Sequence, residues 1–301
     1  MVDLAYKFKG SGFELPEERR KYTEPDKRLS EEFEKWLRKP KNDDSIKKGL
    51  AEKLKAIISD RELPQEEVHS LIVKYQDHPN ILETGTFLTF LYNQAKNDVI
   101  IFDVLDGIES LGRNLQKGKC LVNLMKNAQG FGNNAEGDII NYANNVDTSV
   151  FSIGHGDGVF LNYADVDELT NDCGLCINAG NVEKFGYDNG RIIINFGRTS
   201  ELGLNSTGES TLINAGETDL LGDNSNGRII VIKEPGKYGN VRDAKFVAKD
   251  CKPKLVKYFD NLRAQVESVR KDYNLAVKLV RGLSAEIMEE DLEEMLGEVW
   301  W

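Results

Sequence analysis

Two cysteines three residues apart, Cys173 and Cys176, are the residues of this sequence whose types and spacing most readily suggest chemistry. A Cys-x-x-Cys pair can carry out thiol–disulfide exchange or supply half of a zinc site. The other cysteines, Cys120 and Cys251, are too few and too scattered to make a disulfide framework, and we expect all four thiols to be reduced. Cys176 occupies a position at which another copy of a repeat carries Phe160, so we expect a buried structural thiol there.

The three histidines, His69, His78 and His155, show neither the HExxH pattern nor a paired spacing. His155 lies in the segment IGHGDG, where we expect a turn. This segment lacks the glycine order and the following helix of a dinucleotide site, and the sequence contains no Walker loop and no GxSxG elbow. We therefore predict no catalytic residue, no cofactor and no metal site, and we expect that the protein is not an enzyme.

Asparagine recurs at a regular spacing, after an apolar run in each of five similar segments: GDIINYA (137–143), GVFLNYA (158–164), GLCINAG (174–180), GRIIINFG (190–197) and STLINAG (210–216). With an earlier member in CLVNLM, the asparagines are Asn123, Asn141, Asn162, Asn178, Asn195 and Asn214. Their spacings of 18, 21, 16, 17 and 19 residues each fit one coil of a β-solenoid. We expect a structural ladder of side-chain amides along one corner of the stack, and no carbohydrate or ion binding by these residues.

A second element follows the apolar runs in phase, as in GIESLG (107–112), VEKFG (182–186), SELG (200–203) and TDLLG (218–222). The run VIIFD (99–103) fits a first coil, and GRIIVI (227–232) fits a last coil before Pro235 interrupts the pattern. Asn, Asp and Gly between the runs supply the turn residues that coil corners need. The sequence therefore predicts an α+β protein built on a parallel β-solenoid of about eight coils over residues 98–236.

Alternation along each run predicts which side chains enter the stack. If the residue after each starting glycine points outward, the inward residues are Ile139, Phe160, Cys176, Ile192 and Ile229. The next outward positions are apolar as well, at Ile140, Leu161, Ile177 and Ile193. A sheet that is apolar on both faces is covered on both, so we expect another element to lie on this outer stripe.

The stretch NAGNVEKFGYDNGRIII (178–194) and its later copy NAGETDLLGDNSNGRIIVI (214–232) resemble a known coil repeat. The repeat that they resemble belongs to the GXGXG β-helix domain, which is found at the C-terminus of glutamate synthase large subunits and in the formylmethanofuran dehydrogenase C subunit. The resemblance covers about residues 98–236, and the paired glycines of those families are here mostly Asn-Gly or Thr-Gly. It implies the fold and a largely structural role, and it assigns no catalytic residue.

Residues 1–97 are expected to form a small helical domain that caps the first coil, because an uncapped solenoid end exposes an aggregation-prone edge. Ser30 precedes an amphipathic run as a helix cap does, and Pro64 suits a first helical position. A further helix is expected over about residues 81–96.

The third domain, 237–301, carries a heptad pattern that predicts one long helix over about 253–283. Its apolar positions are Leu255, Phe259, Leu262, Val266, Val269, Tyr273, Ala276, Val280 and Leu283. Such a helix is ~45 Å long, close to the ~38 Å of eight stacked coils. It could lie along the outer stripe of its own solenoid or form a coiled coil with the helix of a second copy. Both outcomes stay open, and we expect a homodimer.

The net charge of −11 is distributed unevenly along the chain. Residues 98–232 carry −11, residues 233–281 carry +7 and residues 282–301 carry −7. Only the 233–281 segment could attract the backbone of RNA, and a solvated basic helix face is the other interpretation. No apolar run approaches ~18 residues and no signal peptide is recognisable, so we expect a cytoplasmic protein without a membrane anchor.

Two function classes fit these patterns. The first is a dimeric, non-enzymatic scaffold that engages a large assembly, such as a ribonucleoprotein like the ribosome. After Gly282 the chain ends in an acidic amphipathic tail, which either docks on a partner or packs on its own domain. The predicted interaction residues are Leu255, Phe259, Leu262, Val266, Val269, Tyr273, Trp300 and Trp301. The alternative, implied by the resemblance, is an accessory structural subunit of a multi-subunit oxidoreductase or amidotransferase complex.

Overall fold

The described part of the chain is a parallel β-solenoid followed by three helices. The computed structural model describes residues 89, 93, 98–102, 111–124, 132, 135–142, 150–188, 191–203, 210–223, 225, 227–240, 246–248 and 253–296. Thr89 and Asn93 are helical. The rest of the predicted N-terminal domain lies outside the described residues, as do His69, His78, Cys251, Trp300 and Trp301.

Each coil contributes one strand to a sheet that ends at the asparagine column, which we call the helix-facing sheet. Neighbouring strands in it are parallel and pair in chain order. Its members are β1 (Val99–Phe102), β2 (Cys120–Asn123), β3 (Asp138–Asn141), the C-terminal halves of β4 (Val150–Asn162) and β5 (Val166–Asn178), β7 (Ile192–Asn195), β9 (Thr211–Asn214), β11 (Arg228–Val231) and β13 (Phe246–Ala248).

A second parallel sheet, which we call the solvent-facing sheet, lies on the other side of the coils. It contains the N-terminal halves of β4 and β5, then β6 (Asn181–Asp188), β8 (Arg198–Leu202), β10 (Glu217–Leu221) and β12 (Lys237–Tyr238). Where strands of both sheets are described, they make about five turns of solenoid. The parallel β-solenoid predicted from the repeats is therefore confirmed.

The asparagine register shows which side chains face the interior of the solenoid. Ile139, Phe160 and Cys176 align with one another, and Cys176 aligns with Ile193 rather than with Ile192. The methyl groups of Ile193 approach Gly186 of the solvent-facing sheet, so Ile193 lies between the sheets. The inward assignment of Ile192 was wrong: Ile192 pairs with Leu175 and faces outward.

The reason for this error is the length of one run. In GRIIIN four residues separate the glycine from the asparagine, whereas in GLCIN three do. Counting from the glycine therefore shifts the alternation by one residue, and a shift of one residue moves each side chain to the opposite face of the sheet. The asparagine is the better reference point, since hydrogen bonds between neighbouring coils fix its position.

Glycines at the coil corners serve two purposes: some adopt a left-handed backbone conformation, and others allow close contact with the backbone of the preceding coil. Gly203, at the end of β8, has a φ of +75°, a left-handed conformation that glycine adopts without strain, and a Cβ there would overlap Leu212. Gly197, just after β7, lies directly against the carbonyl oxygen of Gly180 in the preceding coil, where a Cβ would overlap that oxygen. The repeated glycines of the sequence therefore serve the close stacking of the corners.

Two features of the strands differ from expectation. β4 and β5 are 13 residues long, because each runs through a corner and contributes to both sheets, with register shifts in their pairing. His155 consequently lies within β4, and its assignment to a turn was wrong. The ladder also continues past Pro235, since β12 pairs with β10 and β13 pairs with β11.

The predicted long C-terminal helix is two helices. α1 (Pro253–Ser268) ends before a turn, and α2 (Tyr273–Arg281) begins after Asp272. The Asp272 carboxylate accepts hydrogen bonds from the backbone N–H groups of Asn274 and Leu275, at 3.0 and 3.2 Å, and so caps a new helix. The prediction of one continuous helix was wrong because this cap interrupts the heptad. A third helix, α3 (Ala285–Leu296), follows.

All three helices pack on the outer stripe of the solenoid to which they are joined. Outward residues of the helix-facing sheet, such as Ile140, Leu161 and Ile177, share one hydrophobic core with apolar residues of α1, α2 and α3. The expectation that another element covers this stripe is confirmed. Two arrangements were left open for the heptad, and the structure shows the helices packed on the solenoid of their own chain. We call α1, α2 and α3 together the helical cover.

Candidate interaction surface

The six asparagines form one column along the corner between the sheets. Each side-chain Nδ2 donates to the Oδ1 of the next asparagine, over distances of 2.9 to 3.3 Å. The column runs from Asn123 to Asn214, and all six side chains are fully buried. At its C-terminal end the Nδ2 of Asn214 donates to the carbonyl oxygen of Lys233 at 2.7 Å.

The donors of this column are used within the protein. Besides its neighbour in the column, Asn178 donates to the carbonyl oxygen of Gly180 at 3.2 Å and accepts from the N–H of Gly180 at 3.0 Å. Asn162 makes the same pair of contacts with Ala164. Asn162 and Asn178 thus each close the turn that follows them and tie two coils together. This arrangement stabilises the corner and leaves these asparagines no exposed group with which to bind a ligand.

Of the cysteines and histidines that the sequence offered for chemistry, the structure describes Cys120, Cys173, Cys176 and His155. Cys176 is buried between the sheets, and Cys120 is buried under the helical cover. The backbone of Cys173 lies in β5 and that of His155 in β4. Within the part of the chain that the structure describes, no group of three or more His, Cys, Asp or Glu residues could hold a metal ion.

The residues predicted for interaction are largely occupied by contacts within the chain. Leu255, Phe259, Leu262 and Val266 of α1 are fully buried, and Val269 and Tyr273 pack against the same core while partly buried. In the acidic tail, α3 buries Ala285, Met288, Leu292 and Leu296 on the solenoid side. The described part of the tail therefore packs on its own domain.

An aromatic pair anchors the junction of α1 and α2. Tyr142 and Tyr163, in neighbouring coils, stack with their ring centroids 4.9 Å apart. The hydroxyl of Tyr163 donates to the carbonyl oxygen of Val266 at 2.7 Å, and the Arg270 guanidinium lies 5.7 Å from the centre of the Tyr163 ring. Burial raises the pKa of Tyr163 well above its ordinary range, so this hydroxyl remains a donor. The sequence pattern contained these tyrosines but did not indicate this role.

Two polar contacts hold α3 in place. The hydroxyl of Tyr258 in α1 donates to a carboxylate oxygen of Asp291 at 2.8 Å. Arg191, at the start of β7, binds Glu289 through both Nε and Nη2, at 2.8 and 2.6 Å, and Glu286 through Nη1 at 2.9 Å. Both oxygens of Glu289 are engaged, which is the strong, geometrically specific mode of arginine–carboxylate pairing. The acidic tail and the solenoid are thus joined by charge as well as by apolar packing.

The exposed surface of the helical cover is divided by charge. Residues 253–281 contain seven basic and three acidic residues, whereas α3 contains six acidic residues and no basic one. The exposed cations of α1, α2 and the turn between them are Lys254, Lys257, Arg263, Arg270, Lys271 and Lys278. Leu275, on the same part of the cover, is 44% exposed, a large value for a leucine. We call this outer side of α1 and α2 the basic face.

The solvent-facing sheet presents rows of charged side chains, many of opposite sign in adjacent coils. Glu168, Lys184 and Glu201 are aligned neighbours, and the Nζ of Lys233 lies 3.3 Å from Glu217. Such pairs compensate each other across the strands and keep the sheet solvated. The exposed charge of this sheet is therefore mixed, in contrast to the basic face.

No family model matches this sequence, and no significant match was found among curated proteins or solved structures. Among the described helices, none is both long enough and apolar enough to cross a membrane.

Proposed function

We propose that the protein is a non-enzymatic scaffold that presents its basic face to a large assembly. The observation that carries this proposal is the division of charge on the helical cover: its apolar side is buried on the solenoid, while Lys254, Lys257, Lys271 and Lys278 of α1, α2 and the turn between them are exposed. The solenoid supplies a stiff support, since backbone ladders bond neighbouring coils and the asparagine column adds side-chain bonds from Asn123 to Asn214.

A ribonucleoprotein particle such as the ribosome fits the basic face best among assemblies, and the proposed site of action is the cytoplasm. Phosphate groups attract Lys and Arg strongly, and the acidic residues 98–232 with their net charge of −11 would repel an RNA backbone. RNA contact is therefore proposed only for the 233–281 segment. Arginine and lysine side chains that are already exposed need no rearrangement of the core to make this contact.

We keep the homodimer as a proposal, with its contact on the basic segment, on the C-terminal helices or on the N-terminal helices that the sequence predicts. The heptad seam is not available for it, since Leu255, Phe259, Leu262 and Val266 are covered by the solenoid of their own chain. The partly exposed Leu275 offers an apolar contact on the basic face. Contact through the solvent-facing sheets is disfavoured, because both copies carry net negative solenoids.

Two finer features of the architecture belong to the same proposal: about eight coils in total, and a helical cap on the first coil. Two described residues support the cap. The Thr89 hydroxyl accepts from the N–H of Gly112 at 2.7 Å, and the Asn93 side chain bonds to the backbone of Asn114 and Gln116 at 2.8 and 2.9 Å. Helical residues that precede the solenoid thus contact the turn between β1 and β2.

The second candidate function is an accessory structural subunit of a multi-subunit oxidoreductase or amidotransferase complex. It rests on the resemblance of the coil repeat, and the two Asn-Ala-Gly segments beginning at Asn178 and Asn214 occupy equivalent corners in the structure. In this alternative the partner subunits would bind to the solenoid itself rather than to the basic face.

Affinity capture of the full-length chain tests the two candidates against each other. The Lys254→Glu/Lys257→Glu variant reverses two charges of the basic face, and Arg113→Glu/Arg198→Glu makes the same charge change at exposed positions elsewhere. We expect ribosomal RNA and protein to be recovered with the wild type and the control, less with the basic-face variant, and less as salt concentration rises. Recovery of an oxidoreductase or amidotransferase, equal for both variants, would contradict the proposal and favour the alternative.

A further inference from the structure

Arg191 and Arg281 differ in how the Nε and Nη2 edge of the guanidinium group is used: it is hydrogen-bonded in Arg191 and unpaired in Arg281. Arg191 uses Nε and Nη2 to hold the two oxygens of Glu289. In Arg281, at the end of α2, the same two atoms are buried and have no hydrogen-bond partner. This edge is the side of the guanidinium that matches two anionic oxygens at once.

Lys119 is a second cation close enough to Arg281 for the two charges to interact. Lys119, just before β2, is 2% exposed, and its Nζ lies 3.9 Å from the half-exposed carboxylate of Asp98. Burial lowers the pKa of Lys119, Asp98 opposes this change, and the charge of Arg281 lowers the pKa further. Lys119 and Arg281 are therefore a pair of cations whose charges interact.

Helix geometry does not account for the position of Arg281. A cation in the last turn is favoured by the helix dipole, but the last carbonyls of α2 receive backbone donors: Gly282 N–H bonds to Leu279, and Leu283 N–H to Val280. A guanidinium edge buried without an acceptor costs free energy that a carboxylate or phosphate would remove.

We propose that Arg281, supported by Lys119, binds an oxyanion that places two oxygens on the Nε and Nη2 edge. Arg281 as a whole is partly exposed, so the group lies at the margin of the fold, and an anion reaches it when the side chains that cover the edge shift. Phosphate and carboxylate groups share the required pair of oxygens.

Anion-dependent melting of the full-length chain tests this proposal. Sodium phosphate, acetate and chloride are compared at equal ionic strength, for the wild type, Arg281→Lys, Arg281→Gln and Lys278→Gln. Arg281→Lys keeps the charge but lacks the paired edge, and Lys278→Gln removes an exposed charge from the same helix. Because phosphate stabilises proteins generally by exclusion from their surface, only the difference between variants is diagnostic.

We expect an oxyanion at about ten times its Kd to raise the wild-type Tm by about 2 °C relative to chloride. The increase should persist in Lys278→Gln and disappear in both Arg281 variants. A larger effect of phosphate than of acetate would identify a phosphate group as the ligand, and the reverse a carboxylate. Equal shifts in all four proteins, which would indicate an adventitious ion only, would overturn the proposal, as would no shift in the wild type. Calorimetric titration of wild-type protein with phosphate and with acetate gives a second measurement that does not depend on the variants.

Discussion

The Nδ2 of Asn178 donates a hydrogen bond of 3.0 Å to the Oδ1 of Asn195, one coil further along the solenoid. The two residues are 17 positions apart in sequence, and their strands pair at the same register position. This contact repeats along the column, so each asparagine between its two ends accepts from the coil before and donates to the coil after. Loss of one amide therefore affects two coils.

We expect Asn178→Ala to lower the free energy of unfolding by about 2–4 kcal/mol, because it leaves Asn162 without its acceptor and Asn195 without its donor in the column. Asn178→Asp should lower the free energy of unfolding further, since it buries a negative charge that faces the Gly180 carbonyl oxygen. Urea denaturation measures both. Asn181→Ala is the control, because Asn181 is exposed, and it should change stability by no more than about 0.5 kcal/mol. Equal effects at the two positions would contradict a role for the column.

Gly197→Ala tests the close stacking of the corners. The added Cβ would overlap the carbonyl oxygen of Gly180, which is backbone and cannot move without displacing a coil. We expect a loss of more than about 3 kcal/mol, against a change within about 0.5 kcal/mol for Ser200→Ala on the exposed side of β8. Thermal melting of both variants is the measurement. A melting temperature for Gly197→Ala equal to that of the wild type would show that the corners stack less closely.

Ile192→Asp and Ile193→Asp separate the two faces of the helix-facing sheet. Both side chains are fully buried, but Ile192 faces the helical cover and Ile193 faces the interior of the solenoid. A buried unpaired carboxylate destabilises its surroundings strongly. Hydrogen exchange should therefore show Ile192→Asp exposing amides of α1–α3 first, while Ile193→Asp exposes the strands as well. The same exchange pattern in both variants would contradict the assignment of faces.

Arg191→Ala should loosen α3. The arginine is 43% exposed, so solvent screening limits its effect, and we expect a loss of about 1 kcal/mol. Arg198→Ala, an exposed arginine on the other sheet, is the matched control and should be near neutral. A double-mutant cycle with Glu289→Gln measures the coupling directly, and a coupling energy of zero would mean that the contact contributes nothing.

The same contact predicts a dependence on pH. Burial acts to raise the pKa of Glu286, but its own backbone N–H, the Ser284 hydroxyl and Arg191 together hold this pKa below the ordinary value of 4.5. A carboxylate whose pKa is lower in the folded state adds stability above its unfolded pKa and loses it as the pH falls through the folded pKa. The stability difference between wild type and Arg191→Ala should therefore narrow below pH 4.5 in urea titrations. A difference that stays constant into the acid range would exclude an ionic contact.

The asparagine spacing predicted the solenoid because the column requires one asparagine at the same corner of each coil. Counting from the glycines misplaced Ile192. Four residues lie between Gly190 and Asn195, whereas only three lie between Gly174 and Asn178 in the preceding coil. The break between α1 and α2 had a readable signal, an aspartate before Tyr273, but the unbroken heptad masked it. Nothing local predicts the contact of Arg191 with Glu289, because 98 residues separate the partners. Nothing local predicts that the charges of Lys119 and Arg281 interact either, because 162 residues separate them.

Cross-linking of mixed chains tests most directly that the helical cover packs on its own solenoid. Arg191→Lys places an amine next to Glu286 and Glu289, which a carbodiimide can join to it as an amide. Isotopically heavy and light chains of this variant are mixed, cross-linked at micromolar concentration and digested for mass spectrometry. The structure predicts peptides that join residue 191 to 286 or 289 as light–light and heavy–heavy pairs. Heavy–light pairs in statistical amounts, or no cross-link between β7 and α3, would contradict it.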